Sequence, residues 1–121
     1  MLKHISFFAG IRGFELAADM AGWETVASVE INEDLNRRFK IRYPNTKQHE
    51  DIKKTDFTPY KGLVDVVSGG FPCQPFSNAG ERKGTNDERH LWPEWFRIIR
   101  ERRPPIIFGE QVDKALAWLD Q

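Results

Sequence analysis

The sequence predicts an α/β domain on a mostly parallel sheet, with helices on both faces. Two observations predict it: short apolar runs alternate with segments of helical periodicity, and glycines fall where strand should give way to helix. The clearest buried strand, Leu63 to Ser68, breaks at Gly69-Gly70. The chain has 121 residues, enough for one domain. Lys and Arg number 18 and balance 18 Asp and Glu, while hydrophobic residues make up 40% and charged residues 30%. That composition excludes a disordered polyelectrolyte and a histone-like basic binder. Nine Phe, four Trp and two Tyr concentrate apolar area in large side chains.

The first strand is expected over His4 to Phe8, closed by Gly10. A helix follows over Gly13 to Ala21, with Phe14, Leu16, Ala17 and Met20 at helical intervals and Gly22 as its C-terminal stop. Thr25 to Val29 is β-branched and apolar, and Glu30 follows it. Asn32-Glu33-Asp34 then starts a second helix, which ends near Tyr43 because Pro44 disfavours helical geometry before it. A short strand is placed near Gln48 to Glu50. Asn78 to His90 reads as a long polar loop. Trp92 to Arg103 puts Trp92, Trp95, Phe96 and Ile99 on one helical face, Pro104-Pro105 ends it, Ile106 to Phe108 forms a fifth strand, and Ala115 to Leu119 a helical fragment.

No apolar run reaches the roughly 18 residues of a membrane helix, and Met1 to Phe8 lacks a signal-peptide layout. The single Cys73 excludes an internal disulfide and suits a reducing compartment, so a cytoplasmic protein without membrane association is expected. No metal ligand set is read.

In a parallel α/β sheet, ligands bind beyond the carboxyl ends of the strands. That rule gathers Phe8-Ala9-Gly10, Glu30, Asp51, Gly70 to Ser77 and Gly109-Glu110 along one rim. Gly10 and Gly13 let backbone approach a ligand, and Glu30, 20 residues after Gly10, can accept two ribose hydroxyls. The plainer alternative is a tight turn and a solvated carboxylate. A lone cysteine is usually an inert core residue. Cys73 differs, because Pro72 and Pro75 restrict its backbone and Gln74 adjoins it just outside the best strand, as for a presented nucleophile. Phe8, Trp23, Ile31 and Phe76 suit either apolar contact with a ligand or core packing, and core is expected of Trp23.

Phe71-Pro72-Cys73-Gln74-Pro75-Phe76-Ser77 resembles the nucleophile motif of the DNA cytosine-5 methyltransferases. In that family's order, Phe8-Ala9-Gly10 resembles the first cofactor motif, Glu30 the ribose-binding acid, Asp51-Ile52 the adenine-side acid, and Glu110-Gln111-Val112 the Glu-Asn-Val motif. Two residues depart from it: Arg12 stands where the family usually has Gly, and Gln111 where it has Asn. The guanidinium of Arg12 can swing outward or meet the cofactor's carboxylate.

The resemblance implies a Rossmann-like fold dependent on S-adenosyl-L-methionine, with Cys73 and Glu110 catalytic. It implies cofactor contacts from Phe8, Ala9, Gly10, Gly13, Glu30, Ile31, Asp51, Ile52, Gly70 and Pro72, and DNA contacts from Gln74, Ser77, Arg82 and Lys83. The Cys73 thiolate would add to C6 of a cytosine flipped out of double-stranded DNA, making C5 nucleophilic toward the cofactor's methyl group. Glu110 would act at N3 and the exocyclic amine.

Residues 1–121 would then be the N-terminal portion of a catalytic domain, without the family's later Arg-containing motif, target-recognition region and C-terminal helix. That reading expects the Ile106-Ile107-Phe108 strand near a sheet edge, open to a second copy or a second subunit. The alternative function is a non-catalytic remnant or binding module of the same fold. A nicotinamide-dependent dehydrogenase would share Gly10 and Glu30 but leave Cys73 unexplained.

Overall fold

The computed structural model describes residues 1–10, 12–70 and 92–110, for Trp92 the backbone only. The elements run β1 (Lys3–Phe7), α1 (Gly13–Met20), β2 (Glu24–Val29), α2 (Glu33–Arg42), β3 (Lys47–His49), a 3-10 turn (Thr58–Tyr60), β4 (Val66–Gly69), α3 (Trp92–Arg102) and β5 (Ile106–Gly109). The strands form one sheet in the order β3-β2-β1-β4-β5, and every neighbouring pair is parallel. The chain steps outward from β1 to β3, then crosses to the other side of β1, so the topological switch point lies between β1 and β4.

Local chemistry sets the boundaries. The Asn32 side chain accepts from the amides of Asp34 and Leu35 and caps α2, with Glu33 and Asp34 in the first turn and Lys40 and Arg42 in the last. Arg37 and Arg38 both pair with the exposed Asp34, so part of the positive charge of α2 is neutralised on the helix itself. Gly22 sits at φ 78° just past α1, the left-handed geometry glycine adopts freely. The fourth strand begins later than expected, because Leu63 closes a turn onto the Tyr60 carbonyl and is 61% exposed. Pairing starts at Asp65, which exchanges bonds with the Lys3 backbone.

Side chains alternate across a strand, and here the two faces differ in kind. Ile5, Phe7, Ala27, Val29 and Val67 pack with Ile52, Phe57, and Trp95 and Ile98 of α3 in one apolar core. His4, Ser6, Ser28 and Ser68 are also buried but belong to the other face, under α1 and α2. Two helical stripes read from spacing are corrected. α1 buries Glu15 and Ala18, leaving Leu16 and Met20 exposed, and α3 buries Trp95 and Ile98, leaving Phe96 exposed against Arg100. Trp23 is half-buried, its ring near His4 and Phe108. No described helix is long and apolar enough to cross a membrane.

Candidate cofactor and catalytic site

Because all five strands run parallel, their carboxyl ends form one rim, and backbone bonds stitch it together. The Ala9 amide donates to the Val29 carbonyl (3.1 Å), Glu30 to His49 (3.0 Å) and Glu110 to Gly69 (2.9 Å). Phe8-Ala9-Gly10, Glu30, Asp51, Gly70 and Glu110 therefore follow β1 to β5 along a single lip, as the sequence predicts.

The turn after β1 has left-handed backbone at Phe8 (φ 54°), Gly10 (φ 55°) and Arg12 (φ 73°). For the two side-chain-bearing residues that geometry costs about 1–2 kcal/mol each. Gly10 donates its amide to Glu30 Oε1 at 2.7 Å, and Asn32 donates to Oε2 at 2.7 Å. Each carboxylate oxygen keeps acceptor capacity for a further hydroxyl. A side chain built at Gly10 would meet only the Phe8 carbonyl, at 4.0 Å, and one at Gly13 nothing within 4 Å. That open surface beside a strand-end acid fits a ribose-bearing cofactor. Ile31, 69% exposed next to Glu30, adds apolar surface. A groove of about 300 Å³ adjoins the turn, lined by Gly10, Arg12, Leu16, Leu35, Phe39 and Tyr43 among others.

Arg12 takes neither course its sequence offers. Its guanidinium is buried, donating to Ser28 Oγ (2.8 Å) and Asn36 Oδ1 (2.6 Å), 4.1 Å from the Phe39 ring centre and 3.7 Å from the Glu15 carboxylate. Burial pushes the Glu15 carboxyl up, opposed by the Ser6 hydroxyl and then by Arg12.

At the other end of the rim, two glycines lie close against neighbouring side chains. A methyl group on Gly69 would sit 2.8 Å from the Trp95 ring, and one on Gly70 would sit 2.9 Å from Glu110 Oε2. The Glu110 carboxylate thus rests directly on the backbone of Gly70, beside the switch point.

Asp51 folds into its own turn, one carboxylate oxygen accepting from the Lys53 amide at 2.9 Å and its carbonyl from Thr55 Oγ1 at 2.7 Å. Ile52 is 3% exposed, and its side chain belongs to the core. Pro72, Cys73, Gln74, Phe76, Ser77, Arg82, Lys83, Gln111 and the Ala115 to Leu119 fragment lie outside the described residues. Sequence reasoning missed Asn36 and the role of Arg12, whereas Trp95 packs α3 on the sheet as its spacing implies. The one available signal was Arg12 itself, a long charged residue in a glycine-type turn.

The profile of the C-5 cytosine-specific DNA methylases matches residues 2–118. The type II methyltransferase M.PspPI of Psychrobacter is 39% identical over 118 residues, which are 96% of this chain and 28% of that protein. M.Eco47II of Escherichia coli is 37% identical over 110 residues, 89% of this chain and 26% of its own. Among solved structures, a protein described as a prophage-encoded DNA modification methyltransferase of E. coli superposes with a TM-score of 0.76 at 28% identity, covering 94% of this chain and 33% of that one. The DNMT2 protein of Spodoptera frugiperda follows with a TM-score of 0.70 at 28% identity, covering 93% and 36%. The chain spans about a quarter to a third of the length of these relatives. A profile matched across all five strands, with relatives at 37 and 39% identity, means that the chain belongs to the C-5 cytosine-specific DNA methylase family.

Proposed function

We propose that this chain supplies the cofactor cradle and nucleophile of an enzyme that methylates C5 of cytosine in double-stranded DNA, with S-adenosyl-L-methionine as donor. The observation that carries the reading is the shared rim: the Glu30–Gly10 turn at one strand end and the Glu110 carboxylate seated on Gly70 two strands away. Glu30 accepts the ribose hydroxyls through its remaining lone pairs, Ile31 covers the adenine, and Phe8, Ala9, Gly13, Asp51, Gly70 and Pro72 complete the cradle. The cofactor, when bound, supplies an electrophilic methyl group.

Cys73 adds as thiolate to C6 of the flipped cytosine, and Glu110 donates a hydrogen bond or proton at N3 and the exocyclic amine, offsetting the charge pushed into the ring. Flipping costs a few kcal/mol, offset in part by phosphate contacts from Arg82 and Lys83, with Gln74 and Ser77 beside the extruded base. A side chain filling the turn at Arg12 would favour the non-catalytic alternative, but its guanidinium instead bonds Ser28 and Asn36 inside the domain. The lone Cys73 supports a cytoplasmic setting. Ile106, Ile107 and Phe108, 38 to 48% exposed on β5, the outermost strand among the described residues, support pairing with a second chain, to be checked by light scattering.

Calorimetry tests the cradle. Micromolar binding of S-adenosyl-L-methionine, weakened about tenfold or more by Glu30→Ala, is expected from the loss of charge-assisted hydrogen bonds. A folded protein that takes up no cofactor would overturn the reading.

A further inference from the structure

Four hydrogen bonds form a circuit that starts and ends in the turn after β1. Gly10 donates its amide to Glu30 Oε1, Asn36 Nδ2 donates to the Glu30 carbonyl (2.7 Å), Arg12 Nη2 donates to Asn36 Oδ1, and the Arg12 amide donates to the Ala9 carbonyl (2.9 Å). Besides its bonds to the Asn32 amide and the His49 carbonyl, Glu30 is thus held by its carboxylate from the turn and by its backbone carbonyl from α2. The shared anchor of those last two is Arg12. We propose that Arg12 is a positioning residue that, through Asn36, sets the place of the Glu30 carboxylate and with it recognition of a ribose diol. The proposal rests on the reading of Glu30 as the ribose-binding acid.

Three features separate this role from simple packing. Arg12 occupies left-handed backbone that glycine would adopt without strain, yet the chain keeps a long cation there. Its planar fork reaches Ser28 on β2 and Asn36 on α2 at once, which the single ammonium of lysine cannot reproduce with the same geometry. The Phe39 ring closes one face of the fork and Glu15 provides the opposite charge, so the guanidinium has one seat. Glu30 in turn holds the amides of both Gly10 and Asn32, so a shift at Arg12 reaches both sides of the cradle.

The test uses Arg12→Lys in the full chain, with two measurements. Without ligand, amide hydrogen exchange at Gly10 and Asn32 is expected to accelerate about tenfold more than at the interior amides of β2, because both lose a fixed acceptor. With ligand, wild type is expected to prefer S-adenosylhomocysteine over its 2′-deoxyribose analogue by about tenfold, the weight of one hydrogen bond to a charged group. Arg12→Lys should bring the two analogues near parity by weakening only the first. Equal weakening of both, or exchange that rises uniformly through the domain, would overturn the proposal and leave Arg12 a packing residue. Wild type that binds both analogues equally, or neither, would instead overturn the ribose reading of Glu30, while the exchange data still judge the link from Arg12. If Arg12→Lys fails to fold, Asn36→Ala cuts the same circuit at its other bond and is read the same way.

Discussion

The two faces of the sheet are closed by different chemistry. Under α3 the seal is carbon: Ile5, Phe7, Val29 and Val67 against Trp95 and Ile98. Under α1 and α2, Val66, Ala18 and Phe39 share the seal with nitrogen and oxygen: His4, Ser6, Ser28 and Ser68 against Arg12, Glu15 and Asn36. An apolar seal loses stability in proportion to the atoms removed, whereas a polar one depends on every partner staying matched. The carbon face holds the sheet together, and the polar face carries the turn that receives Glu30. The place of Glu30 is thereby tied to the less forgiving of the two.

That contrast breaks most visibly in paired substitutions. Trp95→Ala should cost roughly 3–5 kcal/mol in urea unfolding, by lost transfer energy and a cavity. Arg12→Met should cost about 3 kcal/mol, mostly because Glu15 is left buried without its cation. Adding Glu15→Met to that variant should recover most of the loss, since an apolar pair replaces an ion pair at similar volume. No second truncation should rescue Trp95→Ala. If the double variant were as unstable as Arg12→Met alone, the fault would lie in the lost bonds to Ser28 and Asn36, not in the orphaned charge.

His4 gives the next largest effect, and it is read by pH. Its ring nitrogens bond Thr25 Oγ1 (2.8 Å) and Ser68 Oγ (2.7 Å), tying β2, β1 and β4 together, and burial lowers its pKa from 6.5 to about 4. Between those values the unfolded chain takes up a proton that the folded chain refuses. The stability His4 provides is therefore whole above pH 6.5 and is lost as pH falls toward 4, about 3 kcal/mol in all. His49, lowered by burial, acts in the same sense, and Glu15, raised by burial, in the opposite one. Subtracting the unfolding curves of His4→Gln from those of wild type isolates the term. A difference that does not change between pH 7 and 4 would mean that folding leaves the proton affinity of His4 unaltered.

The carbon face was legible in the sequence and the polar face was not. Strand order of polarity, the Asn32 cap and the Gly22 stop are local signals, and they located every strand and helix among the described residues to within about three positions. Helical spacing in α1 pointed to Leu16 and Met20, because the periodicity rule assumes an apolar partner. A sheet face lined by serines and a histidine selects Glu15 instead, and that face is visible only once β1, β2 and β4 are side by side. The rim acids Glu30 and Glu110 were legible because strand ends in a parallel sheet share one side. The use of Arg12 was not, since a guanidinium's direction depends on Ser28 and Asn36, 16 and 24 residues away.

Gly69 and Gly70 sharpen the comparison at its finest scale, one residue facing the rigid ring of the carbon core and the next a carboxylate at the rim. Gly69→Ala would press a methyl group to 2.8 Å from the Trp95 ring, which is enclosed by the core and has no room to yield. Overpacking of this kind should cost about 1–3 kcal/mol. Gly70→Ala places a methyl group 2.9 Å from Glu110 Oε2, the far end of an exposed, rotatable side chain that can turn aside. Its cost to stability should stay under about 1 kcal/mol, while the Glu110 side-chain resonances shift as the carboxylate leaves its seat. Thermal unfolding together with side-chain NMR separates the two. Equal destabilisation by both substitutions would show that the Glu110 carboxylate is held as firmly as the Trp95 ring, and that the rim is part of the core rather than an adjustable edge laid on top of it.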